Sequence, residues 1–134
     1  MKYSIKASSI KNQKGSIKIK KSEIIFGITS ETDNDFVNPA EIFLSAFSSC
    51  ILKNVERFSG LMKFKYTHAE ITVNAVRLDK PSKLDNIHYE LLIHSDDKSL
   101  NINLLKKNIE KFGTIYNTIQ ASCSVVGVVK VVLL

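Results

Sequence analysis

The chain has two thiols, Cys50 and Cys123, and they are its best candidates for nucleophilic chemistry. A thiol attacks as its thiolate, so a reactive cysteine needs donors or positive charge beside it. At helical spacing, Asn54 and Arg57 share a face with Cys50, and Lys53 is adjacent. Arg57 lies two turns away, about 10 Å along a helix axis, and reaches Cys50 of the same chain only with difficulty. Two readings of Cys50 therefore stand together: an activated nucleophile, or a small apolar core residue of the kind free cysteines often are. Cys123 divides the same way. As a resolving partner it must bring its Cα within about 7 Å of that of Cys50; otherwise it is an inert buried thiol. Glu41 precedes Cys50 on the same predicted helix but falls on the far side of it at about 100° per residue, which favours a capping role over a catalytic one. His68, His88 and His94 fall on strand edges and ends, and their spacing argues against a metal site. No cofactor is expected. There is no glycine-rich phosphate loop and no Ser-His-Asp set.

The element that must position Cys50 runs from Asn38 to about Gly60. Asn38 is a good N-cap. Pro39 sits at the first helical position, where its missing N–H costs nothing, and Glu41 at N3 meets the positive end of the helix dipole. From Ile42 to Leu52 the polar residues are small serines. A helix this apolar is expected to be buried on nearly all sides, which is more cover than a small single layer supplies and hints at a partner subunit.

Three short strands precede this helix: Tyr3–Ile10, Ser16–Lys21 and Glu23–Thr29, the first two joined by the Asn12–Gly15 turn. Two long strands follow, Thr67–Asp79 and one alternating through Ile87, Tyr89, Leu91 and Ile93; they are expected to pair across the Pro81 connection. A second helix is predicted over Leu100–Gln120, with Gly113 and Thr114 as a break or kink. Cys123–Leu134 reads as a final, fully buried strand. This order predicts a single α+β domain over residues 1–134, with an antiparallel sheet rather than a parallel α/β array.

The net charge of +6 is almost all lysine. These lysines alternate with apolar residues in Ile17–Lys20 or share one side of the second helix, as solvated faces do. Arginine, the preferred phosphate and base reader, is nearly absent, so nucleic acid is not the expected partner. Two cysteines are too few for a disulfide scaffold. The N-terminal residues form no apolar signal region, and the Val125–Leu134 run, interrupted by Lys130, is too short to span a bilayer. The expectation is a cytoplasmic protein with reduced thiols and no membrane contact.

The stretch Asn38-Pro39-Ala40-Glu41-Ile42-Phe43-Leu44, followed by Ala46-Phe47-Ser48-Ser49-Cys50, resembles the OsmC/Ohr family of osmotically induced and organic hydroperoxide resistance proteins. The resemblance covers nearly the whole chain. It implies an intertwined homodimer with antiparallel sheets wrapped around two long helices. It also implies thiol-dependent reduction of organic or hydrogen peroxides at a site lined by both subunits, in oxidative stress defence. In an antiparallel helix pair Arg57 would come to the thiol of the partner subunit.

The departures from the family pattern are specific. Catalytic members carry an arginine in the N-terminal strands, a glutamate near the helix start and a second cysteine late in the second helix. Here no arginine precedes Arg57, Ala40 aligns with the glutamate, and Gly113 takes the second cysteine's place, with Tyr116 and Asn117 expected to line the pocket there. Cys50 turnover would then use an external thiol reductant. The competing expectation is a non-catalytic member that binds a small apolar ligand or a protein partner at the dimer pocket.

Overall fold

A computed structural model describes all residues, 1–134. The chain divides into two compact units, residues 1–43 and 44–134.

The first unit is a three-stranded antiparallel sheet, β1 (Lys6–Ser9), β2 (Lys14–Ile19) and β3 (Ser22–Gly27), in the order β1-β2-β3. The alternation of Ser16–Lys21 carries over into β2, and Asn12 and Lys20 take the positive-φ turn positions on either side of it. The expected first strand is shorter than its pattern: Tyr3 and Ile5 lie outside it, exposed. A short 3-10 turn over Ser30–Thr32 leads to the start of α1 (Pro39–Met62). The capping box forms as read. Glu41 N donates to Asn38 Oδ1 at 2.9 Å, and Asn38 N donates to Glu41 Oε1 at 3.0 Å.

α1 continues into the second unit and runs past Gly60, the expected end. Its stop is Lys63, at φ 56°, with Phe64 N donating back to Ser59 O at 3.1 Å. A left-handed residue is a common helix stop, and here a lysine adopts that conformation instead of the nearby glycine. Within this chain α1 buries one stripe, Phe47, Ile51, Asn54, Val55 and Phe58. The expectation of burial on nearly all sides is not met by the single chain: Ser45, Ala46, Ser49 and Lys53 are exposed.

β4 (His68–Leu78) and β5 (Lys83–His94) pair antiparallel across the Pro81 connection, as the alternation predicts. Ile87, Tyr89, Leu91 and Ile93 of β5 are buried. The second helix is two: α2 (Ile102–Phe112), capped by the Asn101 side chain on Leu104 N, and α3 (Thr114–Gln120), with Gly113 between them at φ −78°, ψ 109°. Leu105 and Ile109 of α2 and Tyr116 and Ile119 of α3 complete the core.

β6 (Val125–Val132) corrects two expectations. It runs parallel to β5, giving a β4-β5-β6 sheet in an otherwise antiparallel α+β fold. A whole helical connection separates β5 from β6, which is what lets the chain return in the same direction. β6 is also not fully buried, because Val126 and Val128 are exposed while Val125 and Val129 pack on the core. At Gly127, opposite Tyr89, an added Cβ would lie 2.0 Å from the Tyr89 ring, so only glycine leaves room for that phenol.

Candidate functional site

Cys50 lies on α1 at the edge of the buried stripe, partly exposed. One turn on, the buried Asn54 directs its amide at the sulfur, with Nδ2 donating to Sγ at 3.9 Å. The i,i+4 spacing of a helix makes this contact, and burial of the amide holds it in place.

The same amide faces Gly113. A Cβ built on Gly113 would stand 3.6 Å from Asn54 Nδ2. Gly113 and Cys50 thus flank one side chain. That Cβ would also lie 2.8 Å from Ile109 O and 2.9 Å from Tyr116 Cβ, so the α2–α3 junction is packed around a glycine.

Cys123 stands elsewhere, at the approach to β6. Its Sγ donates to Leu84 O at 3.2 Å and lies 3.6 Å from Ser122 Oγ. Both cysteines are free thiols, and their polar neighbours are different residues. Arg57 is exposed on α1. Its guanidinium packs over the rings of Phe58, at 5.3 Å, and Phe112, at 5.9 Å, an arrangement that its spacing to Cys50 gave no sign of. The Glu41 carboxylate serves the helix cap.

Beyond Gly113, Tyr116 is buried and donates its hydroxyl to Glu110 Oε2 at 2.7 Å; Glu110 Oε1 also holds Lys106 Nζ at 2.8 Å. Burial, then the bond to Glu110, pushes the Tyr116 phenol far above its ordinary range. Tyr89 is raised in the same way, first by burial and then by the Glu110 charge. Phe47, Tyr89 and Tyr116 pack ring to ring, with Phe47 centroids 5.8 Å and 6.1 Å from the two tyrosines. Asn117 is exposed and turned to Lys111 O at 3.0 Å. Both phenols stay protonated near neutrality. A cleft of about 490 Å³ opens at a different place, lined by Lys65, Tyr66, Ser95, Asp97 and Leu134 among others, with neither cysteine in its wall.

A strand-ordered α+β chain with a thiol on the capped central helix is the pattern to compare. The sequence profile of the OsmC-like protein family matches residues 32–126. The chain belongs to this family. The OsmC-like protein of Mycoplasma pneumoniae is 19% identical, with 98% of each chain covered and a TM-score of 0.87. The organic hydroperoxide resistance protein OsmC of Legionella pneumophila is 16% identical, with 96% of each chain covered and a TM-score of 0.66. OhrB of Bacillus subtilis, an organic hydroperoxide resistance protein, is 12% identical over 96% of this chain and 98% of its own, with a TM-score of 0.62. No curated protein sequence matches the chain. At these identities the structural likeness speaks for the OsmC fold. No helix of this OsmC-like chain is long and apolar enough to cross a membrane.

Proposed function

We propose that this OsmC-like chain, residues 1–134 acting as one domain, is a thiol peroxidase in which Cys50 attacks the peroxide. The observation that carries the reading is the buried Asn54 amide aimed at a partly exposed Cys50 sulfur. In the first step the thiolate attacks the terminal peroxide oxygen. The O–O bond breaks, Cys50 becomes the sulfenic acid, and the alkoxide leaves as an alcohol after taking one proton. Gly113, standing across Asn54 from Cys50, offers no thiol for an internal disulfide. Two external thiols therefore complete the cycle: one displaces water from the sulfenic acid to form a mixed disulfide, and the second releases Cys50 and leaves as the external disulfide. Organic hydroperoxides are the favoured substrate class, in keeping with the solved structures of organic hydroperoxide resistance proteins that share this fold.

The working unit is proposed to be a homodimer in the cytoplasm. Support comes from α1, which covers only one stripe within the chain and leaves Ser45, Ala46 and Ser49 exposed on small side chains that permit close helix approach. In that dimer Arg57 would act at Cys50 of the partner subunit, which would require it to leave Phe58 and Phe112.

A second reading has its own observation. Within its own chain the Arg57 guanidinium is held on two aromatic rings, those of Phe58 and Phe112. A family member without an arginine at the thiol would bind a small apolar ligand or a protein partner instead of turning over peroxide. Consumption of cumene hydroperoxide with dithiothreitol or a lipoyl thiol separates the two. The enzyme reading expects turnover by the wild type that is lost in Cys50→Ser. Equal, near-zero rates would leave only the binding protein.

A further inference from the structure

The β4–β5 register brings together three side chains that lie far apart in the chain. His68 opens β4 and pairs directly with His94, the last residue of β5. Glu70 lies two residues along β4, so the pleat returns its side chain to the face of His68. The two imidazoles stack with centroids 3.8 Å apart, and Glu70 faces both: Oε1 lies 3.6 Å from His68 Nε2, and Oε2 lies 3.7 Å from His94 Nε2. One donor atom from each residue falls within 4.8 Å of the others. Cross-strand pairing makes neighbours of histidines that linear spacing separates.

Two contacts of Thr67 bear on which ring atoms are open. Thr67 Oγ1 donates to His94 O at 3.2 Å, which uses its only proton. Its oxygen also lies 3.2 Å from His68 Nδ1 and can accept from that nitrogen when the ring carries its proton there. In the tautomer that carries the His68 proton on Nδ1, Nε2 is free to act as a ligand, and it faces the Glu70 carboxylate. On the other ring, His94 Nε2 is buried and has no hydrogen-bond partner. Two imidazole nitrogens thus face one carboxylate, and a cation held at that carboxylate would give the buried His94 Nε2 a partner.

We propose that His68, Glu70 and His94 form a binding site for a divalent transition-metal ion of the zinc type. Imidazole and carboxylate are the ligand set that such ions take, at bond lengths near 2.0–2.2 Å, which set donors about 3.3 Å apart. The 3.6 and 3.7 Å separations are close to that. In the stack the two Nε2 lone pairs point side by side, so metal binding has the exposed His68 ring swing out of the stack to bring its Nε2 to the point that His94 and Glu70 face. Thr67 is the outer-shell partner that holds the His68 tautomer, the role a hydroxyl or carboxylate commonly plays behind a ligating histidine. Side-chain exposures of 55% for His68 and 60% for Glu70, against 18% for His94, leave the site open to solvent on one side and anchored on the other. With three protein ligands the fourth position falls to water or an anion.

The test is a Zn²⁺ titration of the full chain, followed by the imidazole ¹⁵N resonances and by competition with a chromophoric chelator. His88 stands on the outer face of the same strand and serves as the internal control, and the ¹⁵N readout separates this site from zinc held by the thiols. The expected result is one equivalent of zinc that shifts His68 and His94 Nε2 and leaves His88 in place. That phase is lost in His94→Gln and weakened ~10-fold in Thr67→Val. Shifts spread equally over His88, or the same zinc affinity in His94→Gln as in wild type, would overturn the proposal. So would simple protonation of the pair with no zinc-dependent shift. Should His94→Gln not fold, the wild-type resonances decide alone.

Discussion

Asn54 Nδ2 donates to Cys50 Sγ at 3.9 Å, from an amide that is itself buried. Replacing Asn54 with Leu removes the donor and keeps much of the volume. Alkylation of Cys50 by iodoacetamide should slow by ~10-fold, while Cys123, bonded to Leu84 O, keeps its rate. Equal slowing at both cysteines would point to a general change in the fold.

Gly113 gives a second prediction. An added methyl group meets Ile109 O at 2.8 Å and Tyr116 Cβ at 2.9 Å. Gly113→Ala should therefore destabilise the chain by about 1–3 kcal/mol in urea unfolding. A neutral result would mean that the α2–α3 junction relaxes freely, and that glycine is not demanded there.

The capping box predicts a different pattern. Asn38→Ala takes the acceptor from Glu41 N and should cost about 1 kcal/mol of stability. Glu41→Gln retains an oxygen for Asn38 N and should cost less. Neither should change peroxide turnover per folded molecule. A large fall in turnover with stability intact would return Glu41 to the chemistry.

Much of this was legible in the sequence. Asn38, Pro39 and Glu41 are local signals and their roles are local, so α1 began where they placed it. The alternation of β5 is likewise a property of neighbouring residues. What linear reading missed depends on contacts between distant segments. Nothing local in Val125–Val132 states which way it runs beside β5. Nothing local in His68 states that His94 lies opposite it. Arg57 shares a helical face with Cys50 by count, yet Phe112, from another helix, offers its guanidinium a surface. At the candidate site the sequence placed Asn54 on the face of Cys50 and singled out Gly113 separately. That one amide stands between the other two needed the fold.

Acid should expose another anchor. Bonds from the Ser99 hydroxyl first, then from the Lys65 and Ser99 backbone N–H groups, hold the Asp97 carboxyl below its ordinary range. A carboxyl depressed in the folded state contributes stability above its unfolded value, and that contribution is lost as pH falls through the folded value. Asp97→Asn removes the linkage. Thermal midpoints measured from about pH 5 down to about pH 2 should fall more steeply for wild type than for Asp97→Asn. Parallel profiles would assign the acid sensitivity elsewhere, Asp85 being the other carboxyl lowered by backbone donors.

The attacking role of Cys50 is tested most directly by a single turnover. The reduced protein is mixed with one equivalent of cumene hydroperoxide, sulfenic acid is trapped with dimedone, and the adduct is located by peptide mass spectrometry. The adduct is predicted on Cys50, with Cys123 still a thiol and no Cys50–Cys123 disulfide. Oxidation of Cys123 with Cys50 untouched, or no adduct while the peroxide persists, would contradict it.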